Sequence, residues 1–174
     1  DGTEPFCATG KNLAFAATHG FEGNANVYTD TDIGSAEMYV YIGANQAETR
    51  PVPFGMINDW RLQSGAKMIA IDPRLTVTAS KADEYLAIRP GTDLALALAL
   101  AHYIFAQGLH DETFCREWVI GWEKWRDFIN EKGYTPQWAA PITDLSEETI
   151  QNLARDIATA DGCVIFASRG INQH

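Results

Sequence analysis

The chain has 174 residues, 46% of them hydrophobic and 21% charged, a composition that excludes a disordered chain and fits a folded domain with a core of its own. Thirteen basic against 23 acidic side chains leave a formal net charge of −10 with no Lys/Arg cluster. That balance argues against nucleic-acid binding and excludes a polybasic membrane anchor.

The longest apolar run, Leu94 to Ala101, is too short to span a bilayer, so no direct membrane insertion is expected. Cys7, Cys115 and Cys163 lie far apart, with no CxxC pair. A zinc ribbon, a thioredoxin-type site and a self-contained iron–sulfur motif are therefore unsupported, and the odd count argues against a disulfide framework. No signal-peptide pattern is present. A start at Asp1 and a polar end at His174 read as a piece cut from a longer protein.

In chain order, Met38-Tyr39-Val40-Tyr41-Ile42, closed by Gly43, predicts a buried strand and a turn. After Pro51 and Pro53, Phe54 to Gln63 predicts a helix stopped at Ser64-Gly65. Lys67 to Ile71 predicts a second strand, ended by Asp72-Pro73. Tyr85 to Ile88 predicts a third, ended by Arg89-Pro90-Gly91. Thr92 is placed to cap a helix from Asp93 to about Gln107, rich in Ala and Leu and terminated by Gly108. Residues 109 to 145 carry Trp118, Trp122, Trp125 and Trp138, and read as a helical excursion with its tryptophans in core packing. Ser146 and Glu147-Glu148 open a helix to about Ala160. Cys163 to Ala167 predicts a fourth strand, followed by Ser168-Arg169-Gly170.

Nearly all-apolar strands alternating with helices predict a three-layer α/β fold: a mostly parallel, Rossmann-like sheet with helices on both faces and the Trp-rich helical excursion beside it. Ligands of such sheets bind beyond the C-terminal strand ends, and each predicted strand leads directly into a polar loop. These loops suit a nucleotide. Gly43 and Gly91 let backbone approach a ligand. The amides at the start of the Asp93 helix favour a phosphate. Asp93 can accept two hydrogen bonds from a guanine edge, Asp72 can hold ribose hydroxyls, and Asn45 and Glu48 add acceptors and one donor pair. The same residues have structural readings: Asp72-Pro73 ends a strand, and Thr92-Asp93 caps a helix. With no G-x-G-x-x-G and no Walker A motif, a typical NAD site and a P-loop ATPase are unsupported.

Five segments occur in register: Ile42-Gly43-Ala44-Asn45-Gln46-Ala47-Glu48-Thr49, Gly65 to Arg74, Ile88-Arg89-Pro90-Gly91-Thr92-Asp93, Tyr134-Thr135-Pro136-Gln137-Trp138-Ala139, and Arg169-Gly170-Ile171-Asn172-Gln173-His174. Together they resemble the molybdopterin oxidoreductases of the dimethyl sulfoxide reductase family. The resemblance covers almost the whole chain. It implies a much longer bacterial catalytic subunit holding molybdenum or tungsten through two molybdopterin guanine dinucleotides. Such an enzyme performs two-electron redox or oxygen- or sulfur-atom transfer on a small anaerobic-respiration substrate. The segments implied to contact the cofactor contain Gly43, Asn45, Glu48, Thr49, Asp72, Pro73, Arg74, Gly91, Thr92, Asp93, Gly170 and Gln173. Arg74 or Arg89 would offset the pyrophosphate.

Three parts follow from the resemblance. Residues 1–36 would be a segment of a neighbouring domain, 37–170 the α/β domain that binds the guanine dinucleotide, and 171–174 the start of a further segment. Cys7 lies 38 positions before Asn45, the spacing of a cysteine metal ligand in this family, and a soft thiolate suits molybdenum. Cysteine at that position fits thiosulfate, polysulfide and some nitrate reductases better than the serine-ligated dimethyl sulfoxide reductases. Ala8 stands where formate dehydrogenases usually carry histidine, which counts against formate. His19 is a candidate proton donor, although a lone helical histidine is more often structural. An iron–sulfur cluster in the parent's N-terminal region, an iron–sulfur partner subunit, a membrane anchor, and either face of the bacterial inner membrane are further expectations of the resemblance. The rival reading is a non-catalytic nucleotide-binding or scaffold domain of the same fold.

Overall fold

The structure is a computed structural model that describes residues 9–20 and 30–172. The chain divides into two compact units, residues 1–86 with 161–174, and residues 87–160. Cys7 and Gln173 lie outside the described residues.

The first unit is built on four parallel strands: β1 (Met38–Ile42), β2 (Lys67–Ile71), β3 (Glu84–Leu86) and β4 (Cys163–Ala167). Their order across the sheet is β3-β2-β1-β4. Three strands match the sequence reading. The third differs: pairing with β2 ends at Leu86, so Ala87 and Ile88 are not part of it. The helices of this unit are α1 (Thr9–His19), α2 (Asp30–Ser35), α3 (Gln46–Thr49), α4 (Pro51–Ser64) and α10 (Arg169–Asn172). Proline near the start of α4 suits a first turn whose amides need no partner, and Gly65 closes it at φ +77°.

Register decides which side chains share a face. Tyr39 stands beside Met68 and Val164, and Tyr41 beside Phe166. Alternation puts all five on one side of the sheet. There they form one core cluster with Ile33, Phe54 and Ile57, residues of α2 and α4. Tyr41 stacks on Phe166 at 4.8 Å between ring centroids, and meets Phe54 edge-on. The Tyr39 hydroxyl donates to the Ile33 carbonyl, which satisfies the one polar atom of a fully buried ring, and burial raises its pKa. On the opposite face Met38, Val40, Ile69 and Ile71 are no more than 2% exposed.

The second unit is helical: α5 (Asp93–Ala106), α6 (Glu112–Trp118), α7 (Trp122–Lys132), α8 (Pro136–Thr143) and α9 (Glu147–Thr159). Three of these helices start on a side-chain cap: Asp111, Thr135 and Ser146 accept from the amides of Phe114, Trp138 and Thr149. Thr92 does not cap α5. Its hydroxyl donates back to the Arg89 carbonyl, so it closes the preceding turn instead. Helix α5 packs on α7, α8 and α9, with Leu96, Ala99, Ile129, Ala139, Ile150 and Leu153 buried. Two of the four tryptophans depart from their predicted core packing, while Trp122 and Trp138 are half-buried against other rings. Trp118 is 74% exposed on α6, a short helix with no buried residue to anchor it, and Trp125 is 48% exposed on α7, which buries Ile129. Among the described residues no helix is long and apolar enough to cross a membrane.

Candidate functional site

Because all four strands run parallel, their C-terminal ends share one edge of the sheet. The order β3-β2-β1-β4 places successive crossovers on opposite sides of β1, so the topological switch point lies between β1 and β4. In open α/β sheets that crevice is where ligands bind. The loops flanking it are Gly43 to Gln46 and Ser168 to Gly170, with Asp72 to Arg74 beyond β2.

These loops are tied together through their backbones. Gly43 donates to Ile71 O at 2.9 Å, Gly170 to Gly43 O at 3.1 Å, and Ser168 to Ile42 O at 3.3 Å. Gly43 has φ +54°, and a Cβ on it would lie 2.7 Å from Gly170 Cα. A Cβ on Gly170 would lie 2.5 Å from Gly43 Cα. Gly43 thus has a packing reason to be glycine, its contact with Gly170. Gly91, at φ +77°, would meet nothing within 4 Å with a Cβ. Its turn opens the second unit with Thr92 and Asp93.

The polar side chains at this edge divide into partnered and unpartnered atoms. Asn45 Oδ1 accepts from Thr78 N at 3.3 Å and from Thr78 Oγ1 at 3.1 Å. Its Nδ2 has no acceptor among the described residues. Asn45 O accepts from the Thr49 hydroxyl and from the amides of Glu48 and Thr49. The Glu48 side chain is exposed. Asp72 Oδ1 accepts from Arg74 N at 2.9 Å, an Asx turn that fixes the start of the loop after β2. Its other oxygen, and the guanidinium of exposed Arg74, have no hydrogen-bond partner among the described residues. Asp72 also raises the pKa of Tyr85, adding to the effect of burial. Pro73 is exposed between them.

Arg89 is committed elsewhere. Its guanidinium forks onto Asp144, with Nε to Oδ2 at 2.8 Å and a second bond from Nη2 to Oδ1. The hydrogen bond and charge of Arg89 hold Asp144 below the usual carboxylate range. Among the described residues, Arg74 and Arg169, not Arg89, are the cations at these loops without an ion-pair partner. Cys115 and Cys163 are free thiols, both half-buried rather than full core residues. Among the described residues no cluster of His, Cys, Asp and Glu could hold a metal ion.

Among the described residues, the unpartnered groups at these loops include the Arg74 and Arg169 guanidiniums and the Asn45 NH2 as donors, and one Asp72 carboxylate oxygen as acceptor. Donors suit phosphate oxygens and the carboxylate suits sugar hydroxyls, so the residues present fit the dinucleotide arm of a cofactor. Sequence reasoning missed Thr78. It lies in a connector without periodicity, and only the local Thr76-Val77-Thr78-Ala79-Ser80 run hints at side-chain-to-backbone bonding.

A parallel α/β sheet with a tight glycine pair and open polar loops at its switch point belongs to the class of open α/β domains that bind ligands beyond their C-terminal strand ends. Comparison makes the family specific. The chain belongs to the molybdopterin oxidoreductases: the family model of that description matches residues 6–174. It is 32% identical over 152 residues to the thiosulfate reductase molybdopterin-containing subunit PhsA of Salmonella typhimurium, covering 87% of this chain and 19% of that one. It is 31% identical to the dimethyl sulfoxide reductase DmsA of Escherichia coli, covering 93% and 22%. Among solved structures it is similar to the acetylene hydratase of Pelobacter acetylenicus, with TM-score 0.73 and 29% identity over 80% of this chain and 19% of that one. The chain thus spans about a fifth of the length of these relatives.

Proposed function

We propose that this chain is the part of an oxidoreductase catalytic subunit that holds the guanine end of one of two molybdopterin guanine dinucleotides. The carrying observation is the family match over residues 6–174 together with unpartnered donors at the switch-point loops. Asn45 and Arg74 would bind pyrophosphate oxygens, and Asp72 would hold ribose hydroxyls. Gly43 and Gly170 would keep the loop floor thin. In the second unit, Asp93 is the residue proposed for the guanine edge, in one segment with Gly91 and Thr92. Glu48, Thr49, Pro73 and Gln173 belong to the same contacting segments, within a binding domain of residues 37–170 flanked by 1–36 and 171–174. When bound, the cofactor metal supplies two-electron redox and oxygen- or sulfur-atom transfer. The chain's own residues bind, orient and neutralise charge. Cys7 would ligate the metal. The parent would act on a dimethyl sulfoxide, thiosulfate, polysulfide or nitrate class of substrate. It would pass electrons to an iron–sulfur subunit and membrane anchor, and an iron–sulfur cluster in its own N-terminal region would fit that path.

The test uses the full-length polypeptide from cells that make the cofactor. Reduced viologen should be oxidised with at least one of dimethyl sulfoxide, thiosulfate, polysulfide or nitrate. Cys7→Ala should abolish that turnover while guanine content stays. Turnover with none of the four by a fully loaded protein would overturn the substrate class. Unchanged metal content and turnover in Cys7→Ala would remove Cys7 from the metal. A protein without metal and guanine would favour a scaffold domain of this fold.

A further inference from the structure

Thr78 is fully buried and lies between β2 and β3, yet its hydrogen bonds reach the loop after β1. Its hydroxyl accepts from Ala47 N at 2.9 Å. A hydroxyl has a single proton, and here the neighbouring acceptor for it is Asn45 Oδ1, at 3.1 Å. The Thr78 amide donates to the same Oδ1 at 3.3 Å. Both groups facing that atom are donors, which fixes the amide: oxygen toward Thr78, NH2 away from it. A free asparagine presents either end to a ligand. This one presents only a donor.

We propose that Thr78 is a positioning residue that locks the Asn45 amide, so that its Nδ2 donates to an acceptor oxygen of the bound nucleotide arm. The proposal rests on the reading of these loops as nucleotide-holding and adds a polarity to it. The group opposite Asn45 is an acceptor such as a phosphate oxygen, and a ligand presenting an N–H there is rejected. The three bonds span 31 and 33 residues of sequence, so the lock also joins the β1 loop to the connector after β2.

Three variants of the full-length polypeptide test this, read by guanine nucleotide retained per polypeptide after gel filtration and by thermal midpoint. Thr78→Ser keeps the hydroxyl and should retain guanine as the parent sequence does. Thr78→Val keeps the shape without the hydroxyl and should lower retention about tenfold, the worth of one charge-assisted hydrogen bond. Asn45→Asp keeps an oxygen for both Thr78 donors but replaces the NH2 with a second carboxylate oxygen. It should lose guanine more completely than Thr78→Val, with a thermal midpoint close to the parent's. Full retention in Asn45→Asp would overturn the donor assignment. Full retention in Thr78→Val, or a loss in Thr78→Ser equal to that in Thr78→Val, would overturn the positioning role. If Thr78→Val does not fold, Thr78→Ala takes its place: full guanine retention in folded Thr78→Ala, or a loss of about tenfold in folded Thr78→Ser, would overturn the positioning role, and Asn45→Asp tests the donor assignment by itself. A parent without guanine would overturn the nucleotide reading itself, a result distinct from a loaded parent with loaded variants.

Discussion

A methyl group on Gly43 has nowhere to go: it would sit 2.7 Å from Gly170 Cα, on a residue whose φ is +54°. Gly43→Ala should cost about 3 kcal/mol, since backbone against backbone leaves no flexible side chain to yield. Gly91→Ala meets only the φ penalty and should cost about 1 kcal/mol. Urea unfolding of both variants checks the difference, and equal costs would contradict the glycine contact. Cys163 makes a second residue-scale prediction. Burial pushes its thiol up to about 11. The folded thiol stays protonated where an unfolded one, near 8.5, has ionised. Its contribution to stability is therefore present below pH about 8.5 and lost as pH rises through about 11. A thiol reagent at pH 8 should label Cys163 only under denaturing conditions. Rapid labelling of the native protein would contradict this. At this scale the sequence was only partly informative. Asn45 and Asp72 stand out as polar residues directly after strands. Their division into used and unused atoms was invisible, because it depends on Thr78 and Arg74 across turns that no periodicity marks. Arg89 looked like a phosphate partner because nothing in sequence announces an ion pair 55 residues away.

At the scale of elements, the link between α4 and the connector before β3 is an ion pair. Arg61, 9% exposed at its side chain, donates to Asp83 at 2.7 Å and to the Lys81 carbonyl at 2.8 Å. Asp83 also accepts from Met68 N, at the start of β2. Burial raises the Asp83 pKa, but the Met68 amide and Arg61 outweigh it and hold the carboxyl below its ordinary value. The sign follows. This stabilisation is present above about pH 4, the unfolded carboxyl's value, and lost as pH falls through the lower folded one. Asp83→Asn should flatten the acid limb of the stability curve, and an unchanged limb would contradict the assignment. Ser146→Ala removes the cap of α9 and should cost about 1 kcal/mol, measured by chemical denaturation. Strands and caps were legible because their signals are local: apolar runs closed by Gly or Pro, and Ser before an acidic pair. Thr92 looked like an equal cap, but its hydroxyl satisfies Arg89 O instead. Trp118 misled because aromatic content says what can be buried, not which short helix has something to pack on.

At the scale of the whole molecule, parallel order and a switch point between β1 and β4 bring the loops of three strands to one edge. That arrangement was foreseeable from alternating apolar strands and helices, although sheet order itself was not. The family is shown by the match across residues 6–174, and the chain spans about a fifth of its relatives. The 174-residue chain alone should therefore show no viologen-linked turnover with any of the four candidate substrates. Turnover by it alone would contradict the division of labour proposed here. The most direct test of the central claim is metal and nucleotide analysis of the full-length polypeptide, made in cells that synthesise the cofactor. The expected result is about one molybdenum or tungsten and two guanine nucleotides per polypeptide, the stoichiometry of one bis-dinucleotide cofactor. Protein with neither metal nor guanine would contradict it and leave these loops as structure without a ligand.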